Sequence, residues 1–140
     1  MSTHDDSLEK LRQERLSVLA QAGTKDLLEL WSEMEMDPVC ELVRGPETGL
    51  VALRGRMGGG GAPFNFGDAT VTRATVRLEN GSVGHGIMLG RDKTKAKIVA
   101  VIDALAQDGD MAARIDAEIV APLRRGIEQA DRDRRAEAAA

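Results

Sequence analysis

Apolar residues first recur at helical spacing in Leu8, Leu11, Leu16 and Leu19, with Arg15 falling in the same row. Asp6 or Ser7 stands where an N-cap accepts backbone N–H bonds, and Gly23 stands where a helix stops. Residues 1–6 are polar and are expected to be flexible. Thr24 is placed to cap a second helix carrying Leu27, Leu28, Leu30, Trp31 and Met34. Asp37-Pro38 ends it, because proline disfavours helix in the residue before it. Two short helices meeting at a glycine predict an antiparallel pair.

The period then shortens. Residues 39–43 read as a short strand, Gly45-Pro46-Glu47-Thr48-Gly49 as turn chemistry, and residues 50–57 as a second strand. In that strand Val51, Leu53 and Met57 share one face, and Arg54 and Arg56 the other. Residues 58–61 and Pro63 interrupt the pattern. Residues 70–78 and 82–89 then flank Asn80-Gly81, a dipeptide that favours a two-residue hairpin loop because both turn positions need positive φ. Such a loop sets Leu78 opposite Val83, Val76 opposite His85, Ala74 opposite Ile87 and Thr72 opposite Leu89 on a core face. The other face pairs Arg77 with Gly84, Thr75 with Gly86 and Arg73 with Met88.

After Gly90-Arg91, Asp92 is placed to cap a helix bearing Ala96, Val99, Ile102 and Leu105, widened by Ile98 and Val101. Asp108-Gly109-Asp110 ends it and caps the next, with Met111, Ile115 and Ile119 in line. Pro122 is expected to start a final helix with Leu123, Ile127 and Ala130. Residues 131–140 continue as a charge-mixed helix with no core of its own, either solvated or facing a partner. Helices at both ends of an antiparallel meander make the fold class α+β, with residues 1–140 as one domain.

Composition narrows the function classes. Of 140 residues, 42% are hydrophobic but only 2% aromatic: Trp31, Phe64 and Phe66, with no Tyr. Aromatic side chains supply much of the buried area in cores and interfaces. An aliphatic core must interdigitate well or borrow surface from a partner. A formal net charge of -4 argues against general nucleic-acid binding, which wants a basic face and stacking aromatics. One cysteine, Cys40, excludes an internal disulfide and fits a reducing cytoplasm. No apolar run approaches the ~20 residues of a membrane span, and no leader pattern opens the chain, so a cytoplasmic location is expected.

Candidate chemistry is sparse. Arg56-Met57-Gly58-Gly59-Gly60-Gly61 suggests backbone N–H groups cradling an anion. Ala62-Pro63-Phe64 follows where a phosphate-binding loop needs Gly-Lys-Ser/Thr opening a helix, so a flexible inter-strand loop is the plainer reading. Arg56, Arg73 and Arg91 at its margins suit phosphate or phosphonate, which the guanidinium fork matches, or else ordinary ion pairs with the many carboxylates. The candidate anion-binding set is thus Arg56, Gly58, Gly59, Arg73 and Arg91. His85 on the predicted core face reads as hydrogen-bonded structure rather than a catalytic base. Asp68 and Asp92 sit at element boundaries, where turn and cap roles suffice. His4, His85 and Cys40 alone do not make a metal cluster. No catalytic or metal-ligating set is assigned.

Several blocks resemble one family. They are Glu47-Thr48-Gly49-Leu50-Val51, Arg56-Met57-Gly58-Gly59, Phe64-Asn65-Phe66-Gly67-Asp68-Ala69-Thr70-Val71-Thr72-Arg73-Ala74, Gly90-Arg91-Asp92-Lys93, Asp103-Ala104-Leu105 and Ala121-Pro122-Leu123. Together they resemble the PhnG family. Within them Asp68, Thr70, Thr72, Gly90 and Asp92 form the structural motif. The resemblance departs where the family has His then Glu after Gly-Arg-Asp, positions held here by Lys95 and Lys97. It departs again at the end, where a Phe-Phe segment is missing, as expected of a truncated or shortened member.

The resemblance implies a subunit of a carbon–phosphorus lyase core complex, working in phosphonate use with PhnI as principal partner, PhnH and PhnJ, and with PhnK and PhnL in the wider system. With PhnI, PhnH and PhnL it would support displacement of adenine from ATP by a phosphonate. The nucleosidase-like step would belong to PhnI, and radical cleavage to PhnJ, which resembles a radical SAM iron–sulfur enzyme. This chain would carry no cofactor and act without catalysis of its own. The alternative is a stand-alone domain binding a phosphate, phosphonate or nucleotide.

Overall fold

Residues 3–56 and 63–139 are described by a computed structural model of the chain. In order they form α1 (Thr3–Gln21), α2 (Thr24–Glu33), β1 (Cys40–Arg56), β2 (Pro63–Leu78), β3 (Val83–Leu89), α3 (Lys93–Leu105), α4 (Gly109–Ile115), a π turn (Asp116–Val120) and α5 (Ala121–Ala139). The strands make an antiparallel meander in the order β1-β2-β3. This is the expected α+β fold.

The register of the hairpin differs by one residue from the expected one. Leu78 N–H donates to Ser82 O (2.8 Å) and Gly81 N–H to Leu78 O (2.9 Å), so Glu79, Asn80 and Gly81 together form the loop. Gly81 takes the positive φ (+92°), and the Asn80 side chain accepts from Ser82 N–H at 2.9 Å. Val76 therefore faces Gly84, Ala74 faces Gly86 and Thr72 faces Met88. A one-residue slip exchanges the two faces of a strand. On β2 the expected core residues Thr72, Ala74, Val76 and Leu78 are indeed buried. On β3 the faces are reversed: Gly84, Gly86 and Met88 point inward, and His85, Ile87 and Leu89 are exposed.

Packing explains this choice. Helix α3 lies against β3 so closely that a Cβ on Gly84 would stand 2.0 Å from Ala100 O, and one on Gly86 would stand 2.3 Å from Ala96 O. Only glycine permits that approach. The register that turns both glycines inward brings the buried face of α3, with Ala96, Val99, Ala100 and Ala104, onto the sheet. The expected register would bury the His85 imidazole and expose both glycines.

Charged side chains fasten the helices around this contact. Asp103, fully buried on α3, accepts from Arg12 Nε (2.9 Å) and Nη2 (2.7 Å), and from the His85 backbone N–H (2.9 Å). One carboxylate thus joins α1, α3 and β3, and it holds the Arg12 guanidinium in its charged form. Arg15, buried three residues on, forks onto Asp116 at 2.8 and 3.1 Å. Lys95 is buried as well, and its Nζ donates to Ala20 O (2.7 Å) and Ala22 O (2.6 Å) at the C-terminal end of α1. A cation there satisfies carbonyls that the helix leaves unpaired. Burial pushes the Lys95 pKa down, against a smaller opposing pull from Asp92.

Other boundaries also differ from those expected. Helix α1 starts at Thr3, ahead of the expected cap at Asp6 or Ser7, so most of residues 1–6 are helical. Gly23 occupies the N-cap of α2, and the Thr24 hydroxyl instead donates to Asp92 Oδ2 at 2.6 Å. The two helices are not an antiparallel pair. Helix α1 packs on α3, β3, the π turn and α5, whereas α2 packs on the π turn and α3. Helix α2 ends at Glu33, before Asp37-Pro38, where Glu35 takes a positive φ of 52°.

The expected strand–turn–strand over 39–57 is one strand, β1, irregular between Leu42 and Glu47 around Gly45-Pro46. Met57 lies outside the described residues. Strand β2 begins at Pro63, so residues 64–69 are part of the sheet. Helix α5 begins at Ala121, beside Pro122 as expected, but it continues α4 and the π turn without a break. Proline in a helix crowds the carbonyl four residues back and donates no hydrogen bond. The preceding π turn absorbs this, with Ala121 N–H donating to Asp116 O five residues back.

The α3–β3 contact makes a direct prediction. Gly84→Ala should destabilise the chain by about 3 kcal/mol, since its methyl meets backbone that cannot rotate away. Urea denaturation followed by circular dichroism checks it; a loss below about 1 kcal/mol would contradict the packing described.

Candidate functional site

Four elements converge on the turn after β3. Gly90 (φ +100°) donates its N–H to Thr70 O at 2.9 Å, and its own carbonyl accepts from Thr72 Oγ1 at 2.7 Å. Thr72 is fully buried and also bonds Thr48 Oγ1 across to β1 at 2.9 Å. Asp92 then caps α3 by accepting from Lys95 N–H at 2.9 Å, and it accepts from Thr24 of α2. The Thr24 hydroxyl and the Lys95 N–H, in that order, hold the Asp92 carboxyl below its ordinary pKa. Thr70, Thr72, Gly90 and Asp92 thus fix a turn that presents Arg91 to solvent. Asp68 is exposed and stands opposite Ala52 on β1.

The candidate anion-binding residues are spread along this framework. Arg73 is exposed on the outer face of the sheet, between Glu47 on β1 and Ile87 on β3. Arg91 follows Ile87 by four residues, at the same end of the hairpin. Neither arginine side chain has a hydrogen bond or ion pair among the described residues. Arg56 ends β1 opposite Pro63, ten positions from Arg73 along β2, or roughly 30 Å. Gly58 and Gly59 lie outside the described residues.

Among the described residues no helix lies on the outer face of the sheet. All helices that touch the sheet pack on the side of Ala74, Val76 and Met88. On the open side Ile87 is 60% exposed and Leu89 77% exposed. Leu89 stands opposite Val71, and the same face continues on β1 with Val51 and Leu53, opposite Ala69 and Gly67. Strand β3 covers β2 only from Val71 to Arg77. Beyond it residues 50–56 and 63–70 pair with each other alone, as a two-stranded ribbon. Leu50, on the opposite face of this ribbon from Val51, is 70% exposed. A two-stranded ribbon by itself is marginally stable in water.

Two further features escaped the sequence reading. A cleft of about 420 Å³ is lined by Trp31, Met36, Pro46, Ile98, Lys93 and Lys97. The paired charges Arg12–Asp103 and Arg15–Asp116 were signalled only by an Asp standing inside an apolar helix and by two arginines three residues apart. His85, expected in the core, is exposed with Nδ1 3.1 Å from Thr75 Oγ1. Among the described residues no cluster of three His, Cys, Asp or Glu side chains is placed to hold a metal ion.

Comparison with known proteins matches this framework to one family. Residues 10–140 match the family model described as "Phosphonate metabolism protein PhnG". The chain belongs to the PhnG family. A relative from Rhizobium meliloti (strain 1021), named alpha-D-ribose 1-methylphosphonate 5-triphosphate synthase subunit PhnG, is 47% identical over 127 residues, which is 83% of this chain and 81% of the relative.

Within this PhnG-family chain, the positions where the resemblance calls for His then Glu behave differently from each other. Lys95 is buried and holds the end of α1, so it has an architectural task. Lys97 is exposed and lines the Trp31 cleft.

The Asp92 cap yields a pH prediction. Its folded-state pKa is lowered, so its contribution is complete above the unfolded carboxylate range, near pH ~4, and is lost as pH falls through the lower folded value. Asp92→Ala should cost about 1 kcal/mol at neutral pH, with the gap to wild type narrowing below about pH 4. Urea denaturation of both chains across pH measures it; a gap that widens in acid would contradict the assignment.

Proposed function

We propose that this chain is a non-catalytic subunit of a cytoplasmic phosphonate-utilisation complex and docks on PhnI through its open sheet face and ribbon. In that complex PhnI, PhnH and PhnL would act with it to replace the adenine of ATP by a phosphonate, giving a ribose 1-phosphonate 5-triphosphate. PhnJ, a radical SAM iron–sulfur enzyme by resemblance, and PhnK would belong to the wider assembly. The chain would hold no cofactor of its own.

The observation that carries this reading is the exposed aliphatic row of Ile87, Leu89, Val51 and Leu53, continuous with a ribbon that exposes Leu50 on its other side. Contiguous apolar surface of this kind marks an interaction site. The relative's printed name, a subunit of a synthase, supports the same reading.

Leu89→Asp combined with Val51→Asp places charges on the exposed face and leaves the core untouched. On co-expression with PhnI, size-exclusion chromatography should give co-elution for wild type. The double variant should bind more weakly by about 2 kcal/mol or more, roughly 30-fold. Independent elution of wild type and PhnI at micromolar concentration would overturn the proposal.

A second reading rests on the unpaired Arg73 and Arg91. Set at the edge of the docking face, they would reach an anionic group of the substrate at a site completed by the partner. Arg73→Ala or Arg91→Ala in the assembled complex should lower product formation about tenfold or more without dissociating it. Unchanged turnover would remove this role.

A further inference from the structure

A second unoccupied surface lies away from the sheet. Helices α2 and α5 diverge to leave a groove of about 650 Å³, lined entirely by helical and helix-flanking residues. Its apolar lining includes Leu30 from α2 and Leu123, Ile127 and Ala130 from α5. At Gly126 an added Cβ would meet nothing within 4 Å, so the groove is empty there. The α2 wall carries Asp26, Glu29 and Glu33, which follow one another at helical spacing. None of these three carboxylates has a hydrogen bond or ion pair among the described residues. On the α5 wall Asp131 is already paired with Arg134.

We infer that this groove receives a cationic amphipathic helix from another subunit of the complex. The walls are two helices, so a third helix laid between them can set an apolar row against Leu30 and Ile127. Its Lys or Arg residues, on the flank facing α2, meet Asp26, Glu29 and Glu33. Charge complementarity selects this occupant: an acidic or neutral helix leaves the three carboxylates unmatched beside an apolar contact. The inference rests on the subunit reading above, but it concerns a different face from the sheet.

The test uses the full-length chain co-expressed with the other phosphonate subunits and purified as the complex. The photoreactive residue p-benzoylphenylalanine is placed at Gly126, where the free chain has room for it, and the cross-linked peptide is read by mass spectrometry. The expected product joins Gly126 to a segment of another subunit with apolar residues at helical spacing and at least two Lys or Arg. Glu29→Lys with Glu33→Lys should cut the cross-link yield about tenfold. An unchanged thermal melt by circular dichroism would confirm that the double variant is folded. A cross-link to a second copy of this chain, to a segment without that pattern, or no cross-link in an assembled complex would overturn the inference, as would a yield indifferent to the charge reversal. Failure of the wild-type complex to assemble would instead strike the subunit reading.

Discussion

The architecture depends on how closely α3 approaches β3. Gly84 and Gly86 are the constraint, because any larger residue would force the helix backbone away from the sheet. With the helix that close, Asp103 reaches the His85 N–H and the Arg12 guanidinium together. A carboxylate buried without such partners would be strongly unfavourable. The contact and the charge cluster therefore require each other. Moving α3 outward would separate Asp103 from the His85 N–H while leaving the carboxylate inside.

The same constraint explains what was legible in the sequence. Helical and strand periods located most elements, and the capping aspartates Asp92 and Asp108 were read correctly because an N-cap is a local interaction. The hairpin register was not local. Asn80-Gly81 is compatible with two loops, and the choice between them was made by α3, which needs both glycines on its side of the sheet. Pairing Gly84 with Arg77 and Gly86 with Thr75 placed both glycines on the wrong face of the sheet. Pro122 was read as the start of the final helix, and α5 does begin beside it, at Ala121. Its local meaning is a helix start, but the π turn before it lets the helix continue.

The candidate site divides in the same way. The Thr70, Thr72, Gly90 and Asp92 block is compact, and its roles follow from hydrogen bonds in and around one turn. Arg56 and Arg73 both stand in recognisable sequence blocks, yet they lie ten strand positions apart along the sheet. Sequence proximity to a motif could not reveal that separation, since it depends on residues 64–69 being strand. Lys95 likewise stands out in the sequence only as a departure from the family pattern, and its task depends on α1 delivering its terminal carbonyls to it.

The shortage of aromatic residues bears on how such a chain can associate. Its buried core is aliphatic, with Trp31 packed at the margin, and it closes because glycine and alanine let backbones approach and because charged pairs fasten the helices. The inner face of β2 and β3 is thereby covered, while Ile87, Leu89, Val51 and Leu53 on the outer face, and Leu50 on the other side of the ribbon, stay exposed. Interface hot spots are usually Trp, Tyr and Arg. Here the arginines are present, but the outer sheet face offers no aromatic side chain among residues 67–89. A partner that docks there must supply the large anchors itself, and the aliphatic row with Arg73 beside it is a surface suited to receive them. The interface would then be asymmetric in its chemistry, which favours a different subunit over a second copy of the same chain.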